Sequence, residues 1–187
     1  RIAAAYPALK GHRPMLPLPA SRILIVEGVE DDPRMKARAD RLRKAIPADE
    51  VLTVNDDQMS EILTPIADLP RHAMRCDDKP VVIFNYIRFD ESEEQRQARR
   101  DRNPVLAHPV RDYDGHNWFE WRKAGTPSMI ERTGHVCQPG WLMHTVSGCH
   151  FRCAYCNMGY TVNIMLNVEE FIEHLDDRIA RAPQQNL

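Results

Sequence analysis

No apolar run in this sequence approaches the roughly 20 residues that span a bilayer, so a membrane-spanning helix is not expected. The opening Arg1-Ile2-Ala3-Ala4-Ala5-Tyr6-Pro7 lacks the apolar core of a secretory signal, which makes the cytosol the expected compartment. An excess of one charge is missing too. The 25 Lys+Arg against 27 Asp+Glu leave a formal net charge of −2, which excludes a wholly basic nucleic-acid coat but not a local basic groove. There is no internal repeat, and the chain opens on Arg1 rather than Met, as a fragment or processed piece would. What is present is an ordinary globular composition, with 43% hydrophobic and 28% charged residues in 187. That supplies a real core for one domain or slightly more.

Cysteine is scarce, and its distribution is uneven. There are five, an odd number, and three fall between Cys149 and Cys156. An extracellular disulfide scaffold spreads an even set along the chain, so this crowding points instead to a metal or redox site.

The expected fold class is α/β. Residues 1–20 form a leader whose Pro7, Pro14, Pro17 and Pro19 favour extended backbone. Residues 21–89 are expected to fold as a small α/β domain with a parallel sheet. The branched run Ser21–Glu27 predicts a buried strand. Asp32 before Pro33 gives a helix start, and Met35, Ala39, Leu42 and Ile46 share one face of that helix. Its other face carries Arg34, Lys36, Arg38, Arg41, Arg43 and Lys44, which reads as a solvated surface or a contact with a polyanion. Val51–Val54 completes a β-α-β unit with a right-handed crossover. A second helix is predicted over 57–69, kinked or shortened by Pro65. Val81–Ile87 is the strongest strand signal in the chain.

Residues 90–135 read as an exposed charged helix followed by an aromatic-rich linker. The acids Asp90, Glu91, Glu93 and Glu94 precede Arg96, Arg99, Arg100 and Arg102, an order that suits the helix dipole. Trp118, Phe119 and Trp121 in the long loop beyond could stack bases or cover the core of the next domain.

The chemistry is expected in residues 136–187. Gly140–Val146 predicts a buried strand running into Cys149-x3-Cys153-x2-Cys156. Five cysteines placed at random would give that spacing in about 0.004 of such chains. A loop with three thiolates can wrap one small inorganic body, and iron–sulfur clusters are held by cysteine thiolates. Three ligands on a four-iron cube leave one iron open for a substrate or cosubstrate. The same residues, with His144, His150 or Cys137 as a fourth ligand, could instead form a structural zinc site in a non-catalytic interaction module. Cys76 and Cys137 otherwise read as ordinary cysteines. After the loop, Asn163–Leu166 is a short extended segment. Asn167-Val168-Glu169-Glu170 then has the pattern of a capping box, opening a helix with Phe171, Ile172, Leu175 and Ile179 on its apolar face.

Cys149-x3-Cys153-x-Tyr155-Cys156, with an aromatic before the last cysteine, resembles the signature of the radical S-adenosylmethionine (SAM) superfamily. The resemblance implies that Cys149, Cys153 and Cys156 ligate a 4Fe–4S cluster and that S-adenosyl-L-methionine binds the open iron. The main chain at Tyr155 would contact its adenine. It implies reductive cleavage to a 5′-deoxyadenosyl radical, with an electron donor such as a flavodoxin or ferredoxin. The cofactors would carry the difficult chemistry and the protein would position them. The strand, loop and helix of 136–187 would then be the first β-α unit of a truncated partial TIM-type barrel, its chemistry on a loop after a strand's C-terminal end. A narrower resemblance, in the small α/β domain and the Asn-Val-Glu-Glu segment, is to the spore photoproduct lyase-like (DNA repair photolyase) family. It implies DNA as substrate, with Arg34, Arg38 and Arg41 placed to hold phosphates.

Overall fold

A computed structural model describes residues 19–67, 79–108, 111–116, 119–122, 140–149 and 160–181. Residues 1–18 of the leader, Leu69, Cys76, Trp118, Cys137 and His150 lie outside these residues, as do Cys153, Tyr155 and Cys156. The first half follows the hydrophobic pattern closely. Strand β1 (Ala20–Val26) leads to helix α1 (Pro33–Ala45), where the Asp32 carboxylate accepts from the backbone amides of Arg34 and Met35. Two amides that a helix start leaves orphaned are thereby satisfied. Strand β2 (Ala48–Val54) and helix α2 (Asp56–Ala67) follow, then β3 (Val81–Asn85), whose five residues are all buried. Pro65 sits inside α2, which continues to Ala67.

Strand β1 lies between β2 and β3, parallel to both, with Leu24 opposite Leu52 on one side and Ile83 on the other. A right-handed crossover from β1 to β2 and another from β2 back past β1 to β3 put α1 and α2 on opposite faces. Both faces of the central strands are therefore covered, which explains a continuous rather than alternating apolar run in β1 and β3. Leu24, Ile83, Phe84 and Leu63 have no exposed surface.

The second half departs from the expected layout. Helix α3 (Glu93–Arg102) is capped by Ser92 and Gln95 in a reciprocal box, and a 3₁₀ turn follows at Pro104–Ala107. The helix is exposed along most of its length, as expected, but Arg99 on its inner side is only 5% exposed. Its guanidinium meets carboxylates gathered from three other segments. Strands β4 (Phe119–Arg122) and β5 (Gly140–Met143) make a separate antiparallel pair, and the side chains of Phe119 and Trp121 are outside the described part. The single buried strand expected over 140–146 is thus two short ones. It stops at Met143 and resumes as β6 (Val146–Gly148) in the other sheet, and Met143 and Val146 are both exposed.

Strand β7 (Thr161–Met165) adds parallel to β3, and β6 pairs antiparallel outside it. The main sheet has the order β2-β1-β3-β7-β6, drawing strands from both 21–89 and 136–187. The first four follow the order of a doubly wound α/β sheet. Helix α4 (Val168–Arg181) returns over the face that carries α1, since Arg38 of α1 binds Glu169 and the Leu166 carbonyl. At its start the Asn167 amide does reach Glu170, three residues on, but the same side chain is also tied to the chain just past β3. The Asn167 side chain accepts from the Ile87 amide and donates to the Ile87 carbonyl. Among the described residues no helix is long and apolar enough to cross a membrane.

Candidate functional site

Of the site residues expected from sequence, the described part contains Cys149, half-buried at the end of β6. Cys153, Cys156 and Tyr155 fall outside it, so their placement relative to Cys149 is not described. Gly148, immediately before, has φ +91, and a Cβ there would lie 2.0 Å from the Thr161 carbonyl oxygen. Only glycine fits that approach. Gly148 lies opposite Val162 in the β6–β7 ladder. At the far end of the intervening segment, Tyr160 also takes a left-handed backbone, φ 72, and its carbonyl accepts from the Val81 amide. A left-handed non-glycine residue is uncommon and held only where its surroundings over-determine it. Both stalks of residues 149–160 are therefore fixed to adjacent strands.

This arrangement corrects one expectation. Because β6 is antiparallel to β7, the segment opening at Cys149 leaves from the amino-terminal edge of the parallel strands. A β-α unit would instead have placed it at their carboxyl edge. Among the described residues no group of three or more His, Cys, Asp or Glu side chains could hold a metal ion. His144, offered as a zinc ligand, is exposed.

The opposite edge is dense in charge. Arg88, just past β3, makes two 2.8 Å bonds to Asp56 at the start of α2. Arg99 binds both oxygens of Glu91, at 2.8 and 2.6 Å, and lies 3.8 Å from Asp114. Arg100 forks onto Asp114 at 2.7 and 2.9 Å. Asn103 reaches Asp57. Burial opposes ionisation of Asp114, but the Arg100 hydrogen bonds and the nearby positive charges outweigh it and hold the carboxyl below its usual range. The same balance, with Arg99 as partner, lowers Glu91. His116 accepts from Arg96 at Nδ1, which puts the ring proton on Nε2, a buried atom with no hydrogen-bond partner. Burial, opposed only in part by Asp114, pushes its pKa down to about 4, so the ring is neutral at pH 7.

These groups were not foreseen, although the signal was in the sequence. The arginines of 96–102 have no apolar stripe between them, and Arg111, Asp112 and Asp114 sit in the next turn. All three of those are buried. The asparagines of β3 and β7 complete the anchor, Asn85 and Asn163 both donating to the Tyr113 carbonyl. The basic groove expected on α1 is also reduced. Arg34 is engaged by Asp32, and Arg38 by Glu169, leaving Arg41, Arg43 and Lys44 exposed.

Comparison of the chain with protein-family models, with curated proteins and with solved structures finds no match.

Proposed function

We propose that the chain is part of a radical SAM enzyme in which Cys149, Cys153 and Cys156 hold a 4Fe–4S cluster. The observation that carries the reading is the Cys-x3-Cys-x2-Cys spacing with Tyr155 before the last cysteine. The donor set fits the group: three closely spaced thiolates and no nearby carboxylate in the segment suit iron–sulfur ligation. The left-handed stalks at Gly148 and Tyr160 support it, since they give the segment a defined root and leave Cys149 half-exposed rather than packed into the core. When bound, the cluster would supply an electron to cleave S-adenosyl-L-methionine to a 5′-deoxyadenosyl radical. Cys149 would anchor one corner, the segment's main chain near Tyr155 would orient the adenine, and β6 and β7 would hold the two ends. A flavodoxin or ferredoxin would deliver the electron.

The finer reading is repair of a DNA photolesion, as the resemblance to spore photoproduct lyase-like proteins implies. Arg41, Arg43 and Lys44 are the cations on α1 left to meet phosphates, and affinity for DNA carried by them should fall steeply with salt.

Anaerobic reconstitution with iron and sulfide tests the cluster. The protein should turn brown and bind about four irons, and its reduced paramagnetic resonance signal should change when S-adenosyl-L-methionine is added. Cys153→Ala should lose the colour. A colourless protein holding one tight zinc would replace this reading with the zinc interaction module.

A further inference from the structure

A second site lies at the other end of the sheet. The strand order reverses between β1 and β3, and open α/β sheets take their ligands in the crevice outside the carboxyl ends of such strands. A crevice of about 400 Å³ opens there, within the range of small-molecule clefts. Met35 of α1, Tyr86, Phe89 and Asp90 after β3, and Glu170 and His174 of α4 line it.

Its chemistry is specific. The Phe89 ring and the His174 imidazole stack face to face, centroids 4.2 Å apart and planes 13° from parallel. Phe171 meets Phe89 edge-on at 5.3 Å, so the stack is braced from behind. Met35 supplies an adaptable apolar wall. The Glu170 carboxylate is held by the Asn167 amide at 2.8 Å, and that amide is itself tied to the Ile87 backbone. The lining cation, Arg88, spends both arms of its guanidinium on Asp56, and among the described residues no ion pair compensates Glu170 or Asp90. The neighbouring crevice beyond Gly28 is acidic as well, with Glu27, Glu30 and Asp31 on its walls. Gly28 takes a left-handed backbone here, φ +94, which favours glycine, and a Cβ would fall 2.5 Å from the Tyr86 hydroxyl.

We infer that this crevice binds a flat heteroaromatic ring bearing an amine, of nucleoside size, stacked on the Phe89–His174 pair with its amine donating to Glu170. Phosphorylated ligands are disfavoured by the acidic rim and by the pairing of Arg88 with Asp56. The proposal stands on the stack, the oriented carboxylate and the switch-point position, and is independent of what the cysteines hold.

The probe is adenosine, titrated into the full chain by calorimetry and by amide chemical-shift mapping. Adenosine should shift the amides of 86–90 and 170–174. Inosine, lacking the exocyclic amine, and adenosine monophosphate should each bind about tenfold more weakly. Glu170→Gln should weaken adenosine about tenfold while leaving the circular dichroism spectrum unchanged. Phe89→Leu, which keeps apolar volume without a ring, should do the same. Cys149→Ala should leave adenosine affinity unaltered. Equal affinity for adenosine and its monophosphate, no binding at millimolar concentration, or loss of binding in Cys149→Ala would each overturn the assignment. The last outcome would place adenosine at the cysteine segment instead.

Discussion

Glu169 is the residue whose environment is most sharply defined. The Arg38 hydrogen bonds, ahead of its own backbone amide, pull its pKa from an ordinary 4.5 down to about 2. A depressed carboxylate adds stability that is present above its unfolded value and lost as pH falls through its folded one. The clamp between α1 and α4 should therefore hold at neutral pH and release between about pH 4.5 and 2. Carbon-detected titration should place the Glu169 midpoint near 2, and Arg38→Met should return it toward 4.5. Arg99 gives a second test at this scale. It is nearly buried and faces Glu91, Asp56 and Asp114. Asp56 and Asp114 keep Arg88 and Arg100, so removing Arg99 strands Glu91, and breaking a pair this buried costs about 3–5 kcal/mol. Arg99→Ala should lower the urea midpoint accordingly, and Arg99→Lys should recover little of it, because a point charge does not match the two-oxygen fork on Glu91.

For the elements, legibility tracked how local the deciding forces are. Strand β1, helix α1 and strand β3 were readable because branched runs, an Asp-Pro start and a three-four spacing each act within a few residues. The burial of Arg99 within an otherwise exposed helix was not legible, because although Glu91 is local, Asp56 and Asp114, which close the cluster around it, lie outside any window over 90–102. The 140–148 region failed for a related reason. Its apolar letters describe strands correctly but say nothing about which neighbour each pairs with, and Met143 and Val146 end up exposed. The Asn167 motif looked like a cap and is also a tie to Ile87, since an Asn side chain serves either role. At the cysteine segment the spacing of the three cysteines was plain in the sequence, whereas the reversal of β6 against β7 was not. Gly148 is the element's most sensitive point. Gly148→Ala places a methyl against the Thr161 carbonyl in a left-handed backbone, and should destabilise the β6–β7 pair by about 1–3 kcal/mol. Amide exchange at Asn163 and Met165, whose N–H groups face β6, should accelerate, while exchange in β1 stays slow.

Across the molecule, stability is centred on β1 and β3 and thins toward both margins of the sheet. Ile23, Leu24, Val82, Ile83 and Phe84 are essentially without solvent exposure, whereas Val51 of β2 and Val146 of β6 are 41% and 49% exposed. Regions with dense apolar contact open only with the whole fold, and margins open locally. Native-state hydrogen exchange should therefore rank β1 and β3 slowest, β7 next, and β2 and β6 fastest. Equal protection of β6 and β3 would contradict this ranking.

The run of β7 from Thr161 to Met165 has a further consequence. At about 3.3 Å per residue, it sets the sheet edge that carries Cys149 and the edge that carries the aromatic stack roughly 15 Å apart along the strand, close to twice the screening distance of physiological salt, about 8 Å. The protein thus has two insulated poles: a change of charge at one is barely felt at the other.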